Sequence, residues 1–215
     1  LRIMYVAKMY AQLEKFYFPV QVDYRGRVYS VPSFVDPQSC DLGRSCLEFY
    51  RGVPIKCEED AKWLKIHGAN VWGRKGEFKE RIAWIEQNTK EIIRIAEDPR
   101  TYKLWQDASE PWAFLAFCFE YAGYKKEGYG FVTHLPCRMD ASCNGVQILS
   151  LLLRDEKIGK LTNLVPDLPP QDVYQHIADR VNETLHRAKS KNSLAGDWLK
   201  WGINRKYTKR IVMTK

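Results

Sequence analysis

The run "PWAFLAFCFEYAG" (residues 111–123) would be apolar around nearly its whole circumference as a helix. A helix that is hydrophobic on all sides belongs in the interior of a protein, with other elements wrapped around it. Proline suits a first helical turn, so Pro111 predicts the start, and Gly123 predicts the stop. The 215 residues, 45% of them hydrophobic, are enough to surround such a helix in one or two domains.

The rest of the chain supplies mostly helices. Met4 to Glu14 is weakly helical. "FYFPVQVDYRGRVYS" reads as two short strands around a tight turn at Arg25–Gly26, where glycine tolerates the left-handed backbone. "EEDAKWLKIH" (58–67) is a helix, and Ile82, Ile85, Ile92, Ile93 and Ala96 fall near helical spacing, predicting one helix over 79–97. "FVTHLPCRMD" reads as a strand, with Pro136 marking an edge or a bulge. "GVQILSLLLRD" is expected to be a buried helix, and "PPQDVYQHIADRVNETLH" an amphipathic one with Val173, Ile177, Val181 and Leu185 at four-residue steps. A polar loop then leads to a last helix, "AGDWLKWGINRKYTKRIVMT", with Trp198, Trp201, Ile211 and Val212 partly buried. No internal repeat or low-complexity tract interrupts the pattern. The class is helix-rich α+β.

Charge is unevenly placed. From Leu185 onward there are nine lysines and arginines against one acid, Asp197, which accounts for the whole net charge of +8. The body before it is neutral. A neutral body with a basic end points to a local polyanion site, such as nucleic acid or nucleotide phosphates. The six cysteines (Cys40, Cys46, Cys57, Cys118, Cys137, Cys143) form no C-x-x-C pair and no zinc spacing, so they are expected to be reduced, mostly buried thiols of an intracellular protein. No apolar run approaches the ~18 residues that span a bilayer, so no membrane association is expected. The chain opens on Leu1 and closes on Lys215 within the predicted last helix, as a segment of a longer protein would.

Three places carry candidate chemistry. In "CRMDASCNGVQ", Asp140 lies between a predicted strand and a predicted helix. It reads either as an N-cap or, given the compact residues Ala141 to Gly145, as a Mg²⁺ ligand beside a triphosphate. In the last helix, Arg205 and Lys209 are four apart, as are Lys206 and Arg210. Like charges at that spacing cost a helix roughly 0.2–0.5 kcal/mol per pair, and a bound polyphosphate turns the repulsion into attraction. In "DYRGRVYS", Arg25 and Arg27 flank a turn beside Tyr24 and Tyr29. That is either a nucleic-acid contact or a structural turn in which Asp23 pairs with an arginine. His67, His134, His176 and His186 show no metal-ligand spacing.

Taken together, "FYFPVQVDYRGRVYS", "WLKIHGAN", "PWAFLAFCFEYAG", "MDASCNGVQ", "PPQDVY" and "NRKYTKRIVMT" resemble, in order, the single-subunit RNA polymerases of the bacteriophage T7 type, which include mitochondrial and organellar-plasmid enzymes. The likeness runs nearly end to end. It implies the palm and adjoining fingers of a right-hand polymerase, with the palm strand–turn–helix at 131–155 and the start of the fingers at 193–215. It implies DNA-directed nucleotidyl transfer from nucleoside triphosphates to an RNA transcript on a DNA template, with two Mg²⁺ ions and with promoter-recognition factors as possible partners.

By the same resemblance, Asp140 and the backbone carbonyl of Ala141 match a metal site, and Lys209 matches the lysine that contacts the triphosphate and is proposed to protonate pyrophosphate. Arg205 matches an arginine on the triphosphate. Arg27 matches one near the template–transcript hybrid, and Arg25 and Tyr29 share its turn. Ala141 replaces the family's usual glycine and leaves the carbonyl in place; Ile148 replaces a usual histidine. The family's ribose-selecting tyrosine and second palm aspartate have no counterpart here, so the chain alone is expected to polymerise nothing. Departures such as "DASCNG" favour a mitochondrial setting, with a phage protein in host cytoplasm as the alternative. Other readings of the residues are the DNA-polymerase branch, a non-catalytic nucleic-acid-binding domain, and a decayed relic.

Overall fold

The computed structural model describes residues 1–24, 26–138, 142–167, 169–190 and 193–213. It divides into two compact units, 1–138 and 139–215. The first contains α1 (Arg2–Tyr10), β1 (Val20–Val22), β2 (Val28–Ser30), α2 (Asp41–Ser45), β3 (Val53–Pro54), α3 (Glu58–Trp72), α4 (Phe78–Gln87), α5 (Thr89–Glu97), a 3-10 turn (Leu104–Asp107), α6 (Pro111–Glu127) and β4 (Val132–Thr133). The second contains α7 (Asn144–Leu153), α8 (Glu156–Leu161), α9 (Val173–Ala188), α10 (Ser193–Trp201) and α11 (Arg205–Met213). The class is helix-rich α+β, as expected.

The all-apolar helix is α6, and it is the centre of the first unit. Phe114, Phe117, Cys118 and Tyr121 are fully buried on it, against Leu64 of α3, Ile85 of α4, and Ile92 and Ile95 of α5. The Tyr121 hydroxyl meets the Thr89 hydroxyl at 3.2 Å, so its one polar atom is not left unpaired in the core. Pro111 begins the helix, and the Asp41 carboxylate of α2 accepts from the free amides of Trp112 (2.8 Å) and Ala113 (3.2 Å). The predicted stop at Gly123 is wrong. The helix runs on to Glu127 and ends at Gly128, because Gly123 serves close packing: a side chain there would meet the Phe131 ring at 2.8 Å.

Two antiparallel pairs supply the strands. β1 and β2 pair in the register Val20–Ser30, Gln21–Tyr29 and Val22–Val28, around the predicted turn. β3 pairs with β4, Val53 opposite Thr133. The strand expected over 131–140 is therefore only two residues long among those described.

Other expectations need correction. The helix predicted over 79–97 breaks at Asn88, where α4 ends and α5 begins. The side-chain amide of Asn88 donates to the Trp84 carbonyl at 2.7 Å, satisfying the end of α4. The single last helix is two, because Gly202 takes a left-handed φ of +70° and ends α10. Asn204 restarts the chain as α11, its side-chain oxygen accepting from the Lys206 amide at 2.9 Å. Trp198, Trp201 and Ile211 are exposed rather than buried.

The helix α7 was expected in the interior, yet Ile148, Leu149, Leu151, Leu152 and Leu153 are exposed and Ser150 is its buried residue. Of the six cysteines, all unpaired, only Cys118 is buried and Cys143 half-buried. Only Cys118 lies on the core helix.

Candidate functional site

The basic end of the chain is organised by α9 and α11. The helix α9 starts at Asp172, whose carboxylate accepts from the amides of Tyr174 (3.0 Å) and Gln175 (3.2 Å). The helix α11 is fastened to it by Thr208, which is buried and donates its hydroxyl to the Tyr174 carbonyl at 2.7 Å. The Asn182 amide holds the link before α11 by donating to the Ile203 carbonyl at 2.8 Å.

This arrangement brings Arg205 and Lys209 together. They lie one turn apart on α11, as the four-residue spacing requires, and both face the Tyr174 ring. The Arg205 guanidinium is 5.6 Å from the ring centroid and the Lys209 ammonium 6.0 Å. Arg205 also pairs through Nε with Asp172. Burial works to raise the Asp172 carboxyl, but Arg205 and the two helix amides outweigh it and hold the group below the usual carboxylate range. Both cations are exposed, whereas Tyr174 is buried.

Tyr174 also reaches toward the other candidate segment. The Cys143 thiol, ahead of burial, pushes the Tyr174 phenol up to about 12. Cys143 takes a left-handed φ of +61° immediately before α7. It stands three residues after Asp140 in the sequence. Nearby, the Asn163 amide donates to the Ser142 hydroxyl at 3.2 Å.

Asp140, Ala141 and Arg25 lie outside the described residues, and what bears on the metal site read from the first two is the chemistry of its donors. A carboxylate and a backbone carbonyl are hard oxygen donors of the kind Mg²⁺ takes. Among the described residues there is no group of three or more histidine, cysteine or acidic side chains able to hold a metal ion. Asp140 and the Ala141 carbonyl fit the ion as part of a donor set.

Arg27 and Tyr29 belong to the first unit, in the β1–β2 turn. Asp23 organises that turn: one carboxylate oxygen accepts from the Arg27 amide at 2.9 Å, and the other accepts from the Tyr29 hydroxyl at 3.3 Å. Gly26, with φ of +76°, closes it. Asp23 thus meets the backbone amide of Arg27 and the hydroxyl of Tyr29 in this turn.

Sequence reasoning missed Asp172, Tyr174, Cys143 and Thr208 as parts of this arrangement. Asp172 carried a signal, since an aspartate directly before an amphipathic helix marks an N-cap. Tyr174 carried none, because an aromatic residue in a first helical turn reads as core.

Comparison with known proteins bears on the whole chain. A family model described as DNA-dependent RNA polymerase matches residues 56–215. The DNA-directed RNA polymerase of Enterobacteria phage K11 is 40% identical over 234 residues, covering 97% of this chain and 26% of the relative. The T7 RNA polymerase of Escherichia phage T7 is 39% identical, again over 97% of this chain and 26% of the relative. The mitochondrial DNA-directed RNA polymerase of Mus musculus is 36% identical over 93% of this chain and 17% of the relative. The chain thus spans about a quarter of the phage relatives and less of the mitochondrial one.

Proposed function

Because the chain belongs to the family of DNA-dependent RNA polymerases, we propose that it forms the nucleotide-binding part of an enzyme that extends an RNA transcript on a DNA template. The observation that carries this reading is the pair Arg205 and Lys209, two exposed cations one turn apart on the same face of α11. A triphosphate lying along that face meets both charges. In the reaction, the transcript's 3′-hydroxyl gives up its proton to solvent and its oxygen bonds to the α-phosphorus of a nucleoside triphosphate. The bond from that phosphorus to its bridging oxygen breaks, and pyrophosphate leaves with the electron pair. Arg205 and Lys209 hold the triphosphate in this reading, and Lys209 gives the departing pyrophosphate a proton.

Asp140 and the Ala141 carbonyl would hold Mg²⁺. Bound there, the ion supplies Lewis-acid activation of the 3′-hydroxyl and offsets phosphate charge. One carboxylate does not hold two ions at catalytic spacing, so Asp140 needs further acidic ligands to complete a two-metal site. Arg25, Arg27 and Tyr29 contact nucleic acid in this reading, with the segments 131–155 and 193–215 serving as palm and start of the fingers. The relatives include mitochondrial and phage enzymes, and the reading accommodates a mitochondrion or the cytoplasm of a phage host. Among the described residues no helix is long and apolar enough to cross a membrane.

The test is primer extension by the full-length protein carrying Arg205→Ala or Lys209→Ala. Each variant is expected to raise the KM for nucleoside triphosphate by about tenfold or more, the size of a lost charge-assisted contact. Unchanged kinetics in both would overturn the assignment.

A further inference from the structure

Resting on the reading of Arg205 and Lys209 as triphosphate ligands, we infer that Tyr174 is a positioning residue for the triphosphate: its ring is the shared platform that holds both cations on one face of α11. Two basic side chains four apart repel each other and, as exposed chains with many rotamers, would otherwise point apart. A carboxylate could gather them, but it would also cancel the charge that the phosphates need. An aromatic face attracts a cation and leaves its charge in place.

The contacts follow that logic. The Lys209 side chain has no hydrogen bond or ion pair to the described residues, and its contact is the Tyr174 ring at 6.0 Å. Arg205 gives only its Nε edge to Asp172 and rests over the same ring at 5.6 Å, so its terminal nitrogens are available to an anion. The platform itself is fixed at two points of its backbone. Its amide donates to Asp172 and its carbonyl accepts from Thr208. A tyrosine that merely filled space would need none of the cations on its face.

The experiment measures kcat and KM for ATP in primer extension by the full-length protein with Tyr174→Leu and Tyr174→Phe, each also made in an Arg205→Ala/Lys209→Ala background. Tyr174→Leu is expected to raise KM about fivefold or more, with kcat changed less than KM. Tyr174→Phe keeps the ring and recovers most of that loss. In the background lacking both cations, Tyr174→Leu adds less than about twofold, because the contacts it removes are already gone. Equal KM for Tyr174→Leu and wild type, or a loss that adds in full to the double variant, overturns the inference. Cation variants that raise KM while Tyr174→Leu does not overturn the platform alone; cation variants without effect remove the nucleotide site as well.

Should Tyr174→Leu not fold, the wild-type protein decides. After reductive ¹³C-methylation, the Lys209 resonance, identified by its loss in Lys209→Arg, is expected to be displaced by the ring current and to move when inorganic tripolyphosphate is added. A resonance at the ordinary lysine position would contradict the platform.

Discussion

The hydroxyl of Thr208 donates to the backbone carbonyl of Tyr174 across 2.7 Å, one residue before Lys209. This buried bond, with the Asn182–Ile203 bond and the Arg205–Asp172 pair, holds α11 on α9 and orients the cationic face. Thr208→Val keeps the shape and loses the donor, so it is expected to destabilise the second unit by about 1–2 kcal/mol, the cost of removing one partner of a buried hydrogen bond. Thr208→Ser, which keeps the hydroxyl, should recover most of it. Thermal unfolding of the two variants checks both statements; equal stability of wild type and Thr208→Val would mean the bond contributes nothing.

Asp172 has two functions in one carboxylate, capping α9 and pairing with Arg205, and they separate by substitution. Asparagine caps a helix as well as aspartate does, whereas alanine does not. Asp172→Ala is expected to cost about 1 kcal/mol in a denaturant titration. Asp172→Asn should cost only a few tenths, because the ion pair is substantially exposed.

His67 gives the fold a built-in sensitivity to acid. It is buried in α3, and burial, reinforced by the Arg138 guanidinium, lowers it to about 4. Its folded value lies below the ordinary value of about 6.5, so the stability it contributes is fully present above that pH and is lost as pH falls toward 4. Between pH 7 and pH 5 the loss from this one group is about 2 kcal/mol. Replacing His67 with leucine should flatten that part of the pH–stability curve, whatever it does to stability at neutral pH. A curve of unchanged slope would show that His67 takes up its proton as readily in the folded state as in the unfolded one.

Much of this was legible before the structure. The all-apolar composition of α6 dictated a central helix, and Tyr121, Phe117 and Phe114 are buried on it as that pattern requires. The two strands around Gly26 and the amphipathic α9 were equally plain. The break at Asn88 was not, because Ile85 and Ile92 face one core and the helical period runs on past the interruption. At Gly202 a left-handed residue looks, in sequence, like one more step of a helix. For α7, composition reports how much burial a helix calls for, not which partner supplies it; its leucines are exposed here. In the candidate site the cations could be named from spacing and resemblance. The ring that gathers them could not, since the sequence separation of Tyr174 from Lys209 hides a contact that only α9 and α11 packing together creates.

The central claim is that this chain carries nucleotide chemistry and not nucleic-acid binding alone. Its most direct test is Asp140→Asn in the full-length protein, assayed in parallel for transcript extension and for template binding. Loss of extension by about a hundredfold or more, with template affinity nearly unchanged, is the predicted result, since the substitution removes a charged metal ligand and little else. Extension at the wild-type rate would contradict the account and leave the basic end of the chain as a binding surface.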